Sequence, residues 1–292
     1  MFESLPAAQL KKYRSLLMWF WYYTLLAIVW GAWVRISHSG NGCGDHWPLC
    51  NGAFIPEFEH KKTWIEYTHR LMTGFYGLVV FYIFYFFRRF HSDPLIKKLN
   101  WALLIAMLVE AGLGALLVKA ELVTVNDSVL RLVVMSFHQL NSFILTGVTF
   151  VFAMAMSEKI KGQIKVKLTP PLILIIVVAT SGAIAALATT LFPSYSLMEG
   201  IQRDFQENSH IFLKLRILHP LIALSLVGWM IYYFWEKGQS RLALELFIAI
   251  CIGILTLLML SPVWLKLTHL LIGHFIWSRL LYSQFVGLKQ SV

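Results

Sequence analysis

"SLLMWFWYYTLLAIVWGAWV", residues 15–34, runs for 20 positions without an Asp, Glu, Lys or Arg. A helix needs about 20 apolar residues to cross the hydrocarbon core of a bilayer, so this stretch reads as a membrane span. Lys11, Lys12 and Arg14 precede it, as basic residues precede a signal peptide. The run is long for such a peptide and shows no small-x-small cleavage site, so it is read as a retained first span. Working outward, residues 71–87, 132–156, 168–198, 217–235 and 246–265 are equally free of charge, and weaker spans occupy about 100–118 and 263–285. The spans are placed at 15–35, 64–87, 100–119, 131–156, 170–192, 212–235, 242–260 and 263–285. The fold class is therefore all-α, a polytopic membrane protein of eight transmembrane helices. Composition agrees: of 292 residues 58% are hydrophobic and 14% charged, where a soluble domain carries about 25%.

The net charge of +10 invites a nucleic-acid partner, but its distribution argues against one. With the N-terminus in the cytoplasm, Lys11, Lys12, Arg14, Arg88, Arg89, Lys97, Lys98, Lys159, Lys161, Lys165, Lys167, Lys237, Arg241 and Lys289 all fall on the inner side. The outer segments dilute their basic residues with Asp45, Glu57, Glu59, Asp127, Glu199, Asp204 and Glu207. That bias is the positive-inside pattern. It places a multi-pass protein in a bacterial-type inner membrane with both termini cytoplasmic and lipid, not nucleic acid, around it.

Two connections are long, 36–63 and 193–211, and their spacing suggests two four-helix halves, 1–160 and 161–292, each opening with a helix, a long outer loop and a second helix. "IEYTHRLMTGFYGLVV" and "LKLRILHPLIALSLVG" align without a gap on His69 and His219, and "VVMSFHQLNSF" and "VWLKLTHLLIGHF" align on His138 and His269. Internal repeats of this kind are common in membrane folds, so the halves are expected to be pseudo-symmetric.

Of ten histidines, His38, His46, His60, His91 and His210 fall in loops or at helix edges and read as solvated. His274 follows His269 by five residues, roughly 140° around the helix, and reads as packing or lipid-edge. His69, His138, His219 and His269 differ. Each lies in an even-numbered span, about 8–12 Å below its outer end at 1.5 Å per residue. Polar groups at such depth are costly and mark function. Apart from Glu66 there is no neighbouring carboxylate or cysteine cluster to complete a zinc or copper site. Paired imidazoles on facing helices, among aromatic and small residues, suit the two axial positions of a haem, one haem per half.

One turn outward, at i−3, His219 has Arg216 and His269 has Lys266, cations suited to haem propionates. In the first half the same positions are Glu66 and Met135, so propionate contacts there fall to Arg35, Arg70 or Arg131. The asymmetry implies a held cofactor in the C-terminal half and a reacting haem beside Glu66 in the N-terminal half. A carboxylate there can exchange protons or balance developing positive charge; the simpler reading is an ion pair with Arg70 at i+4. Glu110, in mid-span, either relays protons or hydrogen-bonds within the bundle. Pro220 removes the N–H that would bond the Arg216 carbonyl, so the helix is expected to loosen there.

"NGCGDHWPLC", residues 41–50, places Cys43 and Cys50 on the outer side, where thiols tend to pair. The ring is either a staple shaping the loop or a redox-active pair above the first site. Cys251 lies in an apolar span and reads as inert.

"GAWVRISHSGNGCGDHWPLCNG" with "WIEYTHRLMTGFYG", "SFHQL", "LFPSYSLMEGIQRDF", "LRILHP" and "LTHLL" resembles the haem A synthase family along nearly the whole chain. The resemblance implies a b-type haem cofactor on His219 and His269, and haem O bound as substrate at His69 and His138. It implies oxidation of the haem O C8 methyl to a formyl group by successive hydroxylations, with Glu66 as the catalytic carboxylate and Cys43–Cys50 as the outer-loop pair. Haem O synthase would act before it and a terminal oxidase would receive the product. His38 stands where a small residue is usual, His46 is unexpected in the loop, and no second cysteine pair occurs in 193–211. Two other readings are weighed against this one. A bis-histidine cytochrome moving electrons across the bilayer would stack its haems at two depths. A haem transporter would bind near the midplane between broken helices.

Overall fold

The computed structural model describes residues 7–57, 60–90, 93–156 and 169–287. Glu59, His91, Lys159, Lys161, Lys165, Lys167, Lys289 and the division at 160/161 lie outside the described residues. Among those described there is no strand, only an isolated bridge between Cys50 and Ala53.

Among the described residues ten helices follow in order: α1 Ala7–Ile36, α2 Lys61–Phe90, α3 Pro94–Lys119, α4 Val129–Ala155, α5 Pro170–Leu191, α6 Leu197–Phe205, α7 Ile211–Arg216, α8 Leu218–Glu236, α9 Ser240–Leu258 and α10 Val263–Gly287. Seven rods, with α7 and α8 counted together, are long and apolar enough to cross a membrane. The eighth, α10, carries Lys266 and Arg279 and is not among the seven, although its 25 residues match the others in length. The chain is a multi-pass membrane protein of all-α class.

Starts are set by local chemistry. The Asp93 carboxylate accepts from the N–H groups of Leu95 and Ile96, with Pro94 in the first turn, which satisfies donors that no helical carbonyl can reach. Ser128 caps α4 through the Arg131 N–H. α1 begins eight residues before the uncharged run, because Lys11, Lys12 and Arg14 interrupt hydropathy without interrupting helix propensity. The outer segment 193–211 is not plain loop. Ser196 accepts from the Glu199 N–H and Glu199 accepts from the Tyr195 N–H, capping α6. Beyond it the sixth rod is broken at Ile217, between α7 and α8, one turn before Pro220, as the missing N–H requires.

Packing closes two rings. α1, α2, α3 and α4 touch in cyclic order, as do α5, α8, α9 and α10; the rings meet through α1·α10, α4·α5 and α4·α10. Each ring fills its own core: Leu17, Trp21, Val80, Leu103 and Phe152 in the first, Leu172, Met230, Phe234, Leu246 and Leu280 in the second. At the seam α4 and α10 approach closely: a Cβ on Gly147 would meet Leu281 and stand 2.6 Å from Trp277 Nε1. Trp277 donates to the Phe143 carbonyl at 2.6 Å, and Trp21 of α1 donates to Ser278 of α10 at 3.3 Å.

Candidate functional site

Each deep histidine meets a glycine of the preceding long rod. An added Cβ would stand 2.9 Å from His69 Cε1 at Gly31, 3.1 Å from His219 Cε1 at Gly182, 3.1 Å from His269 Cε1 at Gly253, and 3.9 Å from His138 Cε1 at Gly114. The missing side chains make room for four imidazoles inside tightly packed rings.

The His219 and His269 rings stand 6.3 Å apart, centre to centre, at 68°. Two imidazoles on opposite sides of one iron, each with a metal–nitrogen distance near 2 Å, would be roughly 6 Å apart by the same measure. His69 and His138 lie within electrostatic reach of each other. The Nδ1 atoms of His69, His138 and His269 are buried without a hydrogen-bond partner. Among the described residues no cluster of three or more His, Cys, Asp or Glu could hold a metal ion. Donors that come in twos fit a metal whose in-plane ligands arrive with a porphyrin. The residues present therefore fit a haem better than a bare ion.

The cations divide into two groups. Arg35 interacts electrostatically with Arg131 and with Lys266, so α1, α4 and α10 bring three positive charges toward one outer junction. Arg131 is 2% exposed and gives Nη1 to the Thr124 and Asn126 carbonyls. The Nε atoms of Arg35 and Arg131 are buried and unpartnered. None of the three forms an ion pair among the described residues, so an anionic group would be at home there. Arg216 is engaged elsewhere. It pairs with Asp204 at 2.7 Å and donates to Ser194 and to the Phe192 and Gly200 carbonyls, holding the outer segment over the second half.

In the first half Glu66 is 3% exposed. Its Oε2 accepts the Cys43 N–H at 2.9 Å and its Oε1 pairs with Arg70. Cys43 and Cys50 are disulfide-bonded and fully buried. Arg70 also donates to the carbonyls of Gly44, His46 and Leu49, and Thr63 donates to that of Gly42 at 2.8 Å. The ring thus sits directly on the carboxylate. Gly42 is required by contact, since a Cβ would fall 2.5 Å from the Lys62 carbonyl oxygen. Trp30 ties α1 to α2 alongside, donating to the Ile65 carbonyl at 3.0 Å.

Four of the remaining histidines have structural settings. His46 lies 3.2 Å from Asp45 in an exposed pair. His38 has positive φ, at 52°, and a buried, unpartnered Nδ1. His210 caps α7 and lies 3.6 Å from Asp127. His274 is packed rather than lipid-facing. It is 0% exposed, stacks on Phe143 at 4.1 Å, and contacts Gln139 and Thr146. Three neighbours of the candidate site residues escaped sequence reasoning: Ser181 at His219 Nδ1, Asp204 at Arg216, and the closeness of Glu110 to His138. For the last, spacing names both residues but not the helices that face each other.

The profile of a family described as cytochrome oxidase assembly protein, COX15-CtaA, matches residues 14–281. A Thermus thermophilus protein named protoheme IX farnesyltransferase is 31% identical over 273 residues, 87% of this chain and 45% of that protein. The chain thus spans about half the length of that relative. A haem A synthase of Symbiobacterium thermophilum is 37% identical over 92 residues, 31% of this chain and 30% of its own. One of Bacillus cereus is 46% identical over 56 residues, 19% of this chain and 18% of its own.

Proposed function

This chain belongs to the cytochrome oxidase assembly family COX15-CtaA, which includes the haem A synthases it resembles, and from that premise we propose that it oxidises the C8 methyl of haem O to a formyl group, giving haem A. In this reading His219 and His269 hold a b-type haem, while His69 and His138 receive haem O as substrate. Bound there, the b-type haem supplies one-electron redox chemistry.

The observation that carries the reading is the difference between the two histidine couples. Only the first has a carboxylate one turn away, and that carboxylate is fixed. Glu66 is held by the Cys43 N–H on one oxygen and Arg70 on the other, so it cannot swing away as substrate enters. A carboxylate so placed can take up a proton from the reacting carbon or its hydroxyl, or balance positive charge that develops beside it. The disulfide ring closes the outer side over it and limits water. Arg35, Arg131 and Lys266 are available to the propionates of the two haems, and Arg216 only by sharing its bond to Asp204. Haem O synthase would supply the substrate and a terminal oxidase receive the product. The bundle would sit in an inner membrane with both termini cytoplasmic and the histidines near the outer face.

Coexpression with a haem O-producing enzyme, followed by acid extraction and mass analysis of the porphyrins, tests the proposal. The native chain is expected to yield haem A. Glu66→Gln is expected to accumulate haem O while the b-type absorption remains. Absence of haem A from the native chain would reject the activity, and haem A from the Gln variant would reject the role of Glu66.

A further inference from the structure

Behind the first histidine couple lies a carboxylate that the proposed reaction leaves unused. Glu110 Oε1 on α3 stands 3.4 Å from His138 Nδ1. Its other oxygen accepts from Asn141 Nδ2 at 2.7 Å, and Asn141 also donates to the Ala106 carbonyl at 2.8 Å. The carboxylate is thereby steadied by an amide one turn beyond His138 on the same helix. The nitrogen it faces is Nδ1, which leaves Nε2 for a metal.

The second half is built otherwise. Matching Gly114 to Gly253 places Ala249 where Glu110 stands, so although the Nδ1 atoms of His138 and His269 are both buried without a hydrogen bond, only that of His138 has a carboxylate 3.4 Å away. The other imidazole of that couple, His219, has Ser181 Oγ 3.0 Å from its Nδ1. The Ser181 hydroxyl gives its one proton to the Val178 carbonyl at 2.8 Å, so toward His219 it acts as acceptor. His219 then carries its hydrogen on Nδ1 and presents a bare Nε2. Each couple thus has one imidazole whose Nδ1 faces a supporting group, the Glu110 carboxylate at 3.4 Å, without a hydrogen bond in this structure, in the first and the Ser181 hydroxyl at 3.0 Å in the second.

A metal-bound imidazole that shares its N–H with a carboxylate becomes a more basic ligand, and a more basic axial ligand makes the iron electron-rich and lowers its potential. We propose that Glu110 is a positioning residue that accepts the His138 Nδ1–H and makes the substrate-side iron more electron-rich than the iron held by His219 and His269. The proposal rests on the assignment of haem O to His69 and His138. It separates the two centres by their supporting groups: the substrate centre is tuned by an anion, the cofactor centre by a hydroxyl.

The test is a redox titration with low-spin ferric EPR on the purified protein loaded with haem O, comparing native, Glu110→Gln, Glu110→Asp and His138→Met. Glu110→Gln is expected to raise the haem O midpoint and widen its g-value spread while the b-type signal keeps both. Glu110→Asp is expected to lie between native and Gln. An unmoved haem O signal in Glu110→Gln would overturn the proposal. If the Gln protein does not fold, an unmoved signal in Glu110→Asp would do the same. A haem O spectrum indifferent to His138→Met would instead reject the underlying site assignment.

Discussion

At the scale of single residues, the four histidines were legible because a polar ring deep in an apolar run has few explanations. The residues that hold them were not. Gly31, Gly114, Gly182 and Gly253 look like ordinary small residues of membrane helices, and only the packed rings show that each makes room for an imidazole. The approach is close enough to test. Gly182→Val should push the His219 ring out of register and remove most of the b-type absorption. Gly228→Val, where an added Cβ meets nothing within 4 Å, should leave the spectrum unchanged. Equal spectra from the two variants would show that the glycine contact does not position the ligand. Glu110 was visible as an intramembrane acid, yet its partner was not, because helical periodicity fixes a face and says nothing of which helix that face will meet.

At the scale of elements, hydropathy found most spans within a few residues, α1 and α3 starting six to eight residues earlier than expected, and missed what lies outside the bilayer's grammar. The sequence Ser196-Leu-Met-Glu199 has the pattern of a capping box, and the structure starts α6 with a shifted form of it, in which Glu199 accepts from the Tyr195 N–H rather than from that of Ser196. This short helix positions Asp204, 8% exposed, against Arg216, so the cation placed by spacing near a propionate is first a mooring for the outer segment. Removal of the cap should be felt locally. Ser196→Ala is expected to cost α6 about 1 kcal/mol, seen as faster amide exchange across 197–205 with the long rods unaffected. Unaltered exchange there would mean that the Arg216–Asp204 pair alone holds the segment. The break at Ile217 was foreseeable from Pro220, and it frees the Arg216 turn to tilt toward α6.

At the scale of the molecule, two rings with separate cores meet along α4 and α10. A bulky residue at their tightest contact should act as a wedge. Gly147→Leu is expected to lower the thermal midpoint in detergent by several degrees, whereas Gly112→Leu, with nothing within 4 Å of an added Cβ, should leave it in place. Matching midpoints would place the seam's stability elsewhere. The seam also follows the register of the histidines. Counting five residues on from His138 and His269 gives Phe143 and His274, and these two stack face to face. The other contacts between rings, α1 with α10 and α5 with α4, exchange under the same operation. That is the self-complementary geometry of an isologous dimer. An ancestral four-helix polypeptide assembled as twins around this axis would have the same seam, and fusion into one chain would then have released the histidine pair of each copy to acquire its own neighbours.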